Sequence, residues 1–188
     1  MNRLARIIDP ARGKIQYKYD LRGRLVKKTD RNRNTVEYMY NKDDNLTLKR
    51  DAETGRSEEF RYYADGSLMT ASGTGTVYHY TYTPNMKLKS KSMNGKFMLE
   101  YNYDRNGNVI ELKDLTGRRT NYKYDVQGRM EEVWDSGTLA AAYTYKPDSQ
   151  LAGIRYGNGI TVEYSHDPDK NIVGILAKNI DGVEILKL

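Results

Sequence analysis

The chain has 188 residues, 38% of them hydrophobic by type, and 31 basic against 25 acidic residues leave a net charge of +6. That length suits one domain, the lack of Cys excludes disulfide and thiolate-metal frameworks, and no stretch nears the ~18 apolar residues of a membrane helix. The opening "MNRLARIIDPARG" has no apolar signal core, so no secretion signal is expected within these residues.

Residues 1–16 read as a partial unit: "RLARIIDPARG" matches the second half of the units after it, with Leu4 lying 21 residues before Leu25. Then Ile15, Tyr17 and Tyr19 alternate with Gln16 and Lys18, which predicts a strand with one apolar and one polar face. "DLRG" supplies turn chemistry, because Asp20 can bond forward to the backbone and Gly23 can take a positive φ. Leu25 opens a return strand, and a looser outer turn is expected at Asp30. The second copy repeats this with Val36, Tyr38 and Tyr40 against Glu37 and Met39, returning at Leu46 and turning at Asp51–Gly55. A third opens at Phe60 and returns at Leu68; a fourth opens at Tyr80 and returns at Leu88. The fifth has Leu99, Tyr101 and Tyr103, then Asp104 and Gly107, a return at Val109 and an outer turn at Asp114–Gly117. The sixth has Tyr122, Tyr124, Asp125 and Gly128, a return at Met130 and a turn at Asp135–Gly137. The seventh has Tyr143 and Tyr145, returning at Leu151. A degenerate eighth, "VEYSHDPDKNI", is placed at Val162 with two extra residues before Ile172, and "GILAKNIDGVEIL" is a partial unit running to Leu188.

The copies thus open near 17, 38, 60, 80, 101, 122, 143 and 162, at a period of about 21 residues. A pattern that begins and stops within a unit is expected of a piece taken from a longer array. No window carries a sustained 3.6-residue stripe, so the fold class is all-β: consecutive antiparallel hairpins of roughly sixteen to eighteen strands. At ~4.8 Å per strand a flat sheet of that size would be ~80 Å wide, and open sheets rarely exceed ~10 strands without curling or splitting. The expectation is one long, curved, single-layered sheet whose Tyr/Leu face turns inward, with the paired tyrosines from Tyr17 to Tyr145 on that face. Gly23, Gly107 and Gly128 are expected at φ > 0. Exposed strand edges and a partly covered Tyr/Leu face predict self-association of the isolated chain.

"YKYDLRGRL", "YNYDRNGNV", "YKYDVQGRM" and "IRYGNGITVEYSHD" resemble the YD repeats of the RHS family, found in bacterial polymorphic toxins, cell-wall-associated proteins and insecticidal toxin complexes, and in teneurins. The resemblance covers nearly the whole chain. It implies a β-strip spiralling into a hollow shell around a toxic C-terminal domain or other cargo. It also implies a secreted or cell-surface parent protein. Asp9-Pro10 and Asp167-Pro168 lack the Gly-Leu of the family's "DPxGL" motif, and no effector segment is expected within the residues up to Leu188. Self-cleavage and toxicity are therefore not carried over. The function expected is a non-enzymatic wall module whose partners are the rest of the parent shell and its cargo. The alternative is a carbohydrate-binding or adhesion module that presents the tyrosine face to glycans.

Other sites read more simply as structure. Asp104 to Asn108 resembles a calcium loop, but the turn accounts for the same residues. Glu58-Glu59 and Glu131-Glu132 are strand neighbours pointing to opposite faces, so neither pair can flank one bond. His79 and His166 have no nucleophile beside them. The basic runs at 27–33 and 87–92 fit solvated edges better than a nucleic-acid face. Trp134 is placed as a rim packing residue. No catalytic residue, cofactor or metal is expected, and neither nucleic acid nor membrane insertion.

Overall fold

The computed structural model describes residues 4–9 and 13–188. The Pro10 of the first Asp-Pro pair, and the connection between it and Gly13, lie outside the described residues. The chain divides into two compact units, Met1–Met98 and Leu99–Leu188. The first holds β1 (Arg6–Asp9), β2 (Gly13–Tyr19), β3 (Leu25–Thr29), β4 (Thr35–Tyr40), β5 (Leu46–Asp51), β6 (Ser57–Tyr62), β7 (Leu68–Gly73), β8 (Thr76–Tyr82) and β9 (Leu88–Met93). The second opens within β10 (Lys96–Tyr103) and continues through β11 (Val109–Asp114), β12 (Arg119–Tyr124), β13 (Met130–Asp135) and β14 (Thr138–Tyr145). It ends with β15 (Leu151–Tyr156), β16 (Thr161–His166), β17 (Ile172–Lys178) and β18 (Glu184–Lys187). Within each unit every strand pairs antiparallel with its neighbours in sequence. No helix occurs among the described residues. The protein is all-β.

The strands follow the sequence periods closely. The box strands β2, β4, β6, β8, β10, β12 and β14 each end on the second aromatic of their copy, and the return strands open on Leu25, Leu46, Leu68, Leu88, Val109, Met130 and Leu151. The eighth copy obeys the same rule. β16 ends on His166 and β17 opens on Ile172, so Tyr164 and His166 take the two box positions. The start at Val162 with a two-residue insertion is therefore corrected to a regular copy from Tyr164.

One irregularity recurs where each box meets its return strand. Tyr19 pairs with Leu25 while Lys18 pairs with Lys27, leaving Val26 as an extra residue. The same shift falls at Tyr40, Tyr62, Tyr82, Tyr103, Tyr124, Tyr145 and His166. A β-bulge of this kind moves the residues beyond it to the other face. Lys28, Lys49 and Lys91 consequently lie opposite Tyr17, Tyr38 and Tyr80 in the first unit. Leu112, Val133, Ile154 and Ile175 lie opposite Tyr101, Tyr122, Tyr143 and Tyr164 in the second. Aliphatic partners for the first tyrosines are thus found in the second unit, whereas the first mostly places lysines opposite its rings. Lys91 Nζ sits 4.2 Å from the Tyr78 centroid, a cation–π distance.

The outer turns vary in length: those at Asp30 and Asp114 close three residues on, by Arg33 N–H and Gly117 N–H donating to the aspartate carbonyls at 3.1 and 3.0 Å. Asp51–Gly55 closes by the Gly55 N–H donating to the Asp51 carbonyl at 3.0 Å. The Asp135–Gly137 turn is tighter than expected. Asp135 pairs directly with Thr138, and Ser136 and Gly137 both have positive φ, 48° and 85°. Two such residues match the strand twist of a two-residue hairpin. Among the described residues neither unit seals an apolar core: the buried hydrophobic residues there are Ala141 and Ala177. Cohesion must therefore come from ladders, half-buried rings and polar links between copies.

Candidate functional site

Two polar devices recur from copy to copy, and both are built at the inner turns. The first is a clamp within the turn. Gly23 N–H donates to the Asp20 carbonyl at 2.8 Å, and Asp20 N–H to the Arg24 carbonyl at 3.0 Å. Gly23, Gly107 and Gly128 have φ of 78°, 86° and 78°, the left-handed region that glycine enters without Cβ strain. The Asp20 carboxylate then accepts from Arg24 N–H at 2.8 Å and from Arg24 Nε at 2.7 Å. Asp125 does the same with Arg129, and Asp104 with the amide and side chain of Asn108. The residue after the glycine is as much part of the turn as the aspartate, although the Asp-x-x-Gly spacing does not single it out. Asp104 thus spends both carboxylate oxygens within the turn.

The second device links one copy to the next. The β3–β4 ladder covers only Lys27 to Thr29, so Leu25 lies beyond it, where the strands have diverged. Tyr40 Oη closes that gap by donating to the Leu25 carbonyl at 2.9 Å. Tyr62 donates to Leu46, Tyr82 to Leu68, Tyr124 to Val109 and Tyr145 to Met130, at 2.7 to 3.0 Å. Tyr19 donates likewise to Leu4. The second tyrosine of the box is therefore a staple to the preceding copy. In the eighth copy His166 holds this place, and its Nδ1 is buried without a hydrogen-bond partner. The first tyrosines (Tyr17, Tyr38, Tyr101, Tyr122 and Tyr143) are half-buried and serve through their rings; Tyr101 stacks on Tyr103 with centroids 6.4 Å apart.

These bonds set the expected pH response. The Asn108 side chain first, then backbone N–H groups, hold Asp104 below its usual 3.8. The Arg24 backbone N–H does so for Asp20 and the Asn171 side chain for Asp167. At Asp125 burial acts upward but is outweighed by the bonds from Arg129. Burial pushes the phenols of Tyr40, Tyr62, Tyr82, Tyr103, Tyr124 and Tyr145 above their usual 10.0. Depressed carboxylates stabilise the fold above 3.8, and that contribution is lost as pH falls through their folded values. Raised phenols stabilise it below 10.0, and that contribution is lost as pH rises through theirs. A melting-temperature series from about pH 2 to about pH 12 should show a plateau with both falls. Asp104→Asn should reduce the acid fall, and Tyr124→Phe the alkaline one.

The remaining candidates lie on the strands, away from the inner turns. Glu58 pairs with Lys49 at 3.0 Å on the tyrosine face, while its neighbour Glu59 lies opposite Leu48 and Ser72 on the other. Glu132 accepts from Lys123 and from Trp134 Nε1, both at 2.7 Å, which fixes the indole on the face opposite the tyrosines. His79 lies between Thr70 and Ser92 in the ladder. Among the described residues, no group of three or more His, Asp and Glu gathers as a metal site. No helix of the described residues is long and apolar enough to cross a membrane.

Comparison with known proteins gives two family matches. A teneurin YD-shell model matches residues 85–179, and an RHS-repeat model matches residues 2–35. Among solved structures, the TcdB2-TccC3 crystal structure superposes with a TM-score of 0.80 at 16% identity, covering 94% of this chain and 11% of that one. The Photorhabdus luminescens Tc holotoxin pore gives 0.81 at 17% identity, covering 94% and 10%. TcdB2-TccC3 without its hypervariable C-terminal region gives 0.77 at 15%, covering 91% and 10%. The likeness is one of fold, and the chain spans about a tenth of the length of these solved chains. No curated protein sequence matches it.

Proposed function

We propose that this chain, which belongs to the teneurin YD-shell family, is a non-enzymatic wall segment of a larger shell that encloses a cargo or toxin domain of an exported bacterial protein. The observation that carries this reading is the staple: Tyr19, Tyr40, Tyr62, Tyr82, Tyr124 and Tyr145, each the second tyrosine of its copy, hold the copy before them. Such a device serves extension of a wall and uses up the groups that a catalytic or recognition face would present. Its partners would be the remaining wall and the enclosed domain and, for the isolated chain, further copies along strand edges. Glycan recognition by the tyrosine face is less well supported, since the hydroxyls it would offer from Tyr40, Tyr62, Tyr82, Tyr124 and Tyr145 are already engaged.

The test is protease protection in the parent polypeptide. Its enclosed domain should resist digestion while the wall is intact and become sensitive when Tyr124 and Tyr145 are both changed to Ala. Equal digestion of wild type and variant would refute enclosure. Retention of the isolated chain by a glycan array would favour the adhesion reading instead.

A further inference from the structure

Arg24 and Arg129 occupy one structural position in two different copies. Each follows the turn glycine, is held by its own turn aspartate, and lies over the second tyrosine of the next copy. The guanidinium carbons are 4.9 Å from the Tyr40 centroid and 4.3 Å from that of Tyr145. Arg24 Nη1 also donates to the Asn41 carbonyl at 2.9 Å and to Asp44 Oδ1 at 2.7 Å. Arg129 Nη1 reaches Ser149 Oγ at 3.1 Å. The space between consecutive inner turns is thus shaped for a planar cation, with an aromatic floor and oxygen acceptors at the rim.

Between the second and third copies the same position is Asn45, which is too short to cross. A cleft of about 680 Å³ opens there, lined by Asn41, Asp43, Tyr62, Tyr63, Ala64 and Gly66 among others. Its parts correspond to those of the arginine junctions. Asn41 stands where Asp20 does, Tyr62 where Tyr40 does, and the Tyr63 carbonyl where the Asn41 carbonyl does. Gly66 replaces Asp44, but Asp43 brings a carboxylate to the cleft. Lys42 and Arg61 also line it and are offset in charge by Asp43 and Asp65. The next junction shows that an arginine is not the only way to close such a gap. Ser67 takes the position there, and Tyr63 donates to the Tyr80 carbonyl at 3.0 Å with its ring edge-on to Tyr82, centroids 6.2 Å apart. The cleft between the second and third copies has neither closure.

We propose that this cleft receives the guanidinium of an arginine presented by a partner polypeptide, seated as Arg24 and Arg129 are seated in their own junctions. The volume fits the range of ligand clefts and leaves room for the backbone that carries the arginine. Nothing in this depends on whether the chain walls a shell.

The experiment is an amide NMR titration of the full 188-residue chain with a short capped peptide containing one arginine. Resonances of Asn41, Tyr62 and Tyr63 should shift together. The citrulline peptide, isosteric but uncharged, should bind about tenfold more weakly. The lysine peptide should also be weaker, because it lacks the planar fork. Asn45→Arg supplies the chain's own guanidinium and should abolish the response. Arg24→Asn should open an equivalent cleft and add peptide-dependent shifts at Tyr40 and Asp44, which keeps the test decisive if Asn45→Arg does not fold. Absence of shifts, equal binding of the citrulline or lysine peptide, or a response that persists in Asn45→Arg would overturn the proposal.

Discussion

Tyr124→Ala should lower the stability of the second unit by about 3 kcal/mol, while Tyr124→Phe should lower it by about 1 kcal/mol. The difference comes from what the side chain does. Tyr124 Oη donates to the Val109 carbonyl at 2.9 Å, at a point the β11–β12 ladder does not reach. Phe keeps the ring and loses only that bond, whose net worth is about 1 kcal/mol. Ala also removes a half-buried ring, adding roughly half the cost of truncating a fully buried aromatic. Urea unfolding with an unchanged m-value is the measurement, since a changed slope would signal a different unfolding unit. Equal effects of Phe and Ala would mean that the hydroxyl, not the ring, holds the copies together. No effect of Phe would mean the staple contributes nothing to stability.

Gly157→Ala should cost about 3 kcal/mol, for a reason no contact map of the wild type reveals. A Cβ at Gly157 would overlap the Leu139 carbonyl oxygen, and that obstacle is backbone. The Gly157 N–H donates to the Ala140 carbonyl at 2.9 Å, so the end of β15 cannot retreat without giving up this bond. Gly174 supplies the control. A Cβ there would make an ordinary contact, 3.4 Å from Ser165 Cβ. Gly174→Ala should therefore be neutral, or stabilising by about 0.5 kcal/mol through the unfolded chain. Thermal melts of both variants decide it, and similar melting temperatures would show that β15 yields at Gly157.

How much of the molecule is legible in its residues differs by layer. Strand phase was legible, because alternation such as Val36, Tyr38 and Tyr40 against Glu37 and Met39 is a one-dimensional signal. Turn glycines were legible for the same reason: Asp20 and Gly23 sit at a fixed offset. The bulge was not, because nothing in "LVKK" says that Val26 will go unpaired and Lys28 rather than Lys27 will face Tyr17. Nor were the staple acceptors, since Tyr40 and the Leu25 carbonyl meet across copies and a carbonyl carries no residue identity. Arg24 and Arg129 left a faint signal, a long basic side chain just after the turn glycine, but charge there reads equally well as solvation. His166 was less legible because Tyr164 reads as the box's second tyrosine, which starts the copy at Val162, whereas the box ends on a histidine.

The pairing of each strand with its neighbours in sequence also bears on how the molecule forms. Partners such as Asn121 and Trp134, or Gly153 and Glu163, are close along the chain, so each ladder closes a short loop. Short loops cost little closure entropy, and folding rates rise as contacts become more local. Ordering can then spread hairpin by hairpin along a growing polypeptide, each new copy templated by the edge already laid down. A protein built this way need not wait for its far end to be synthesised before it begins to fold.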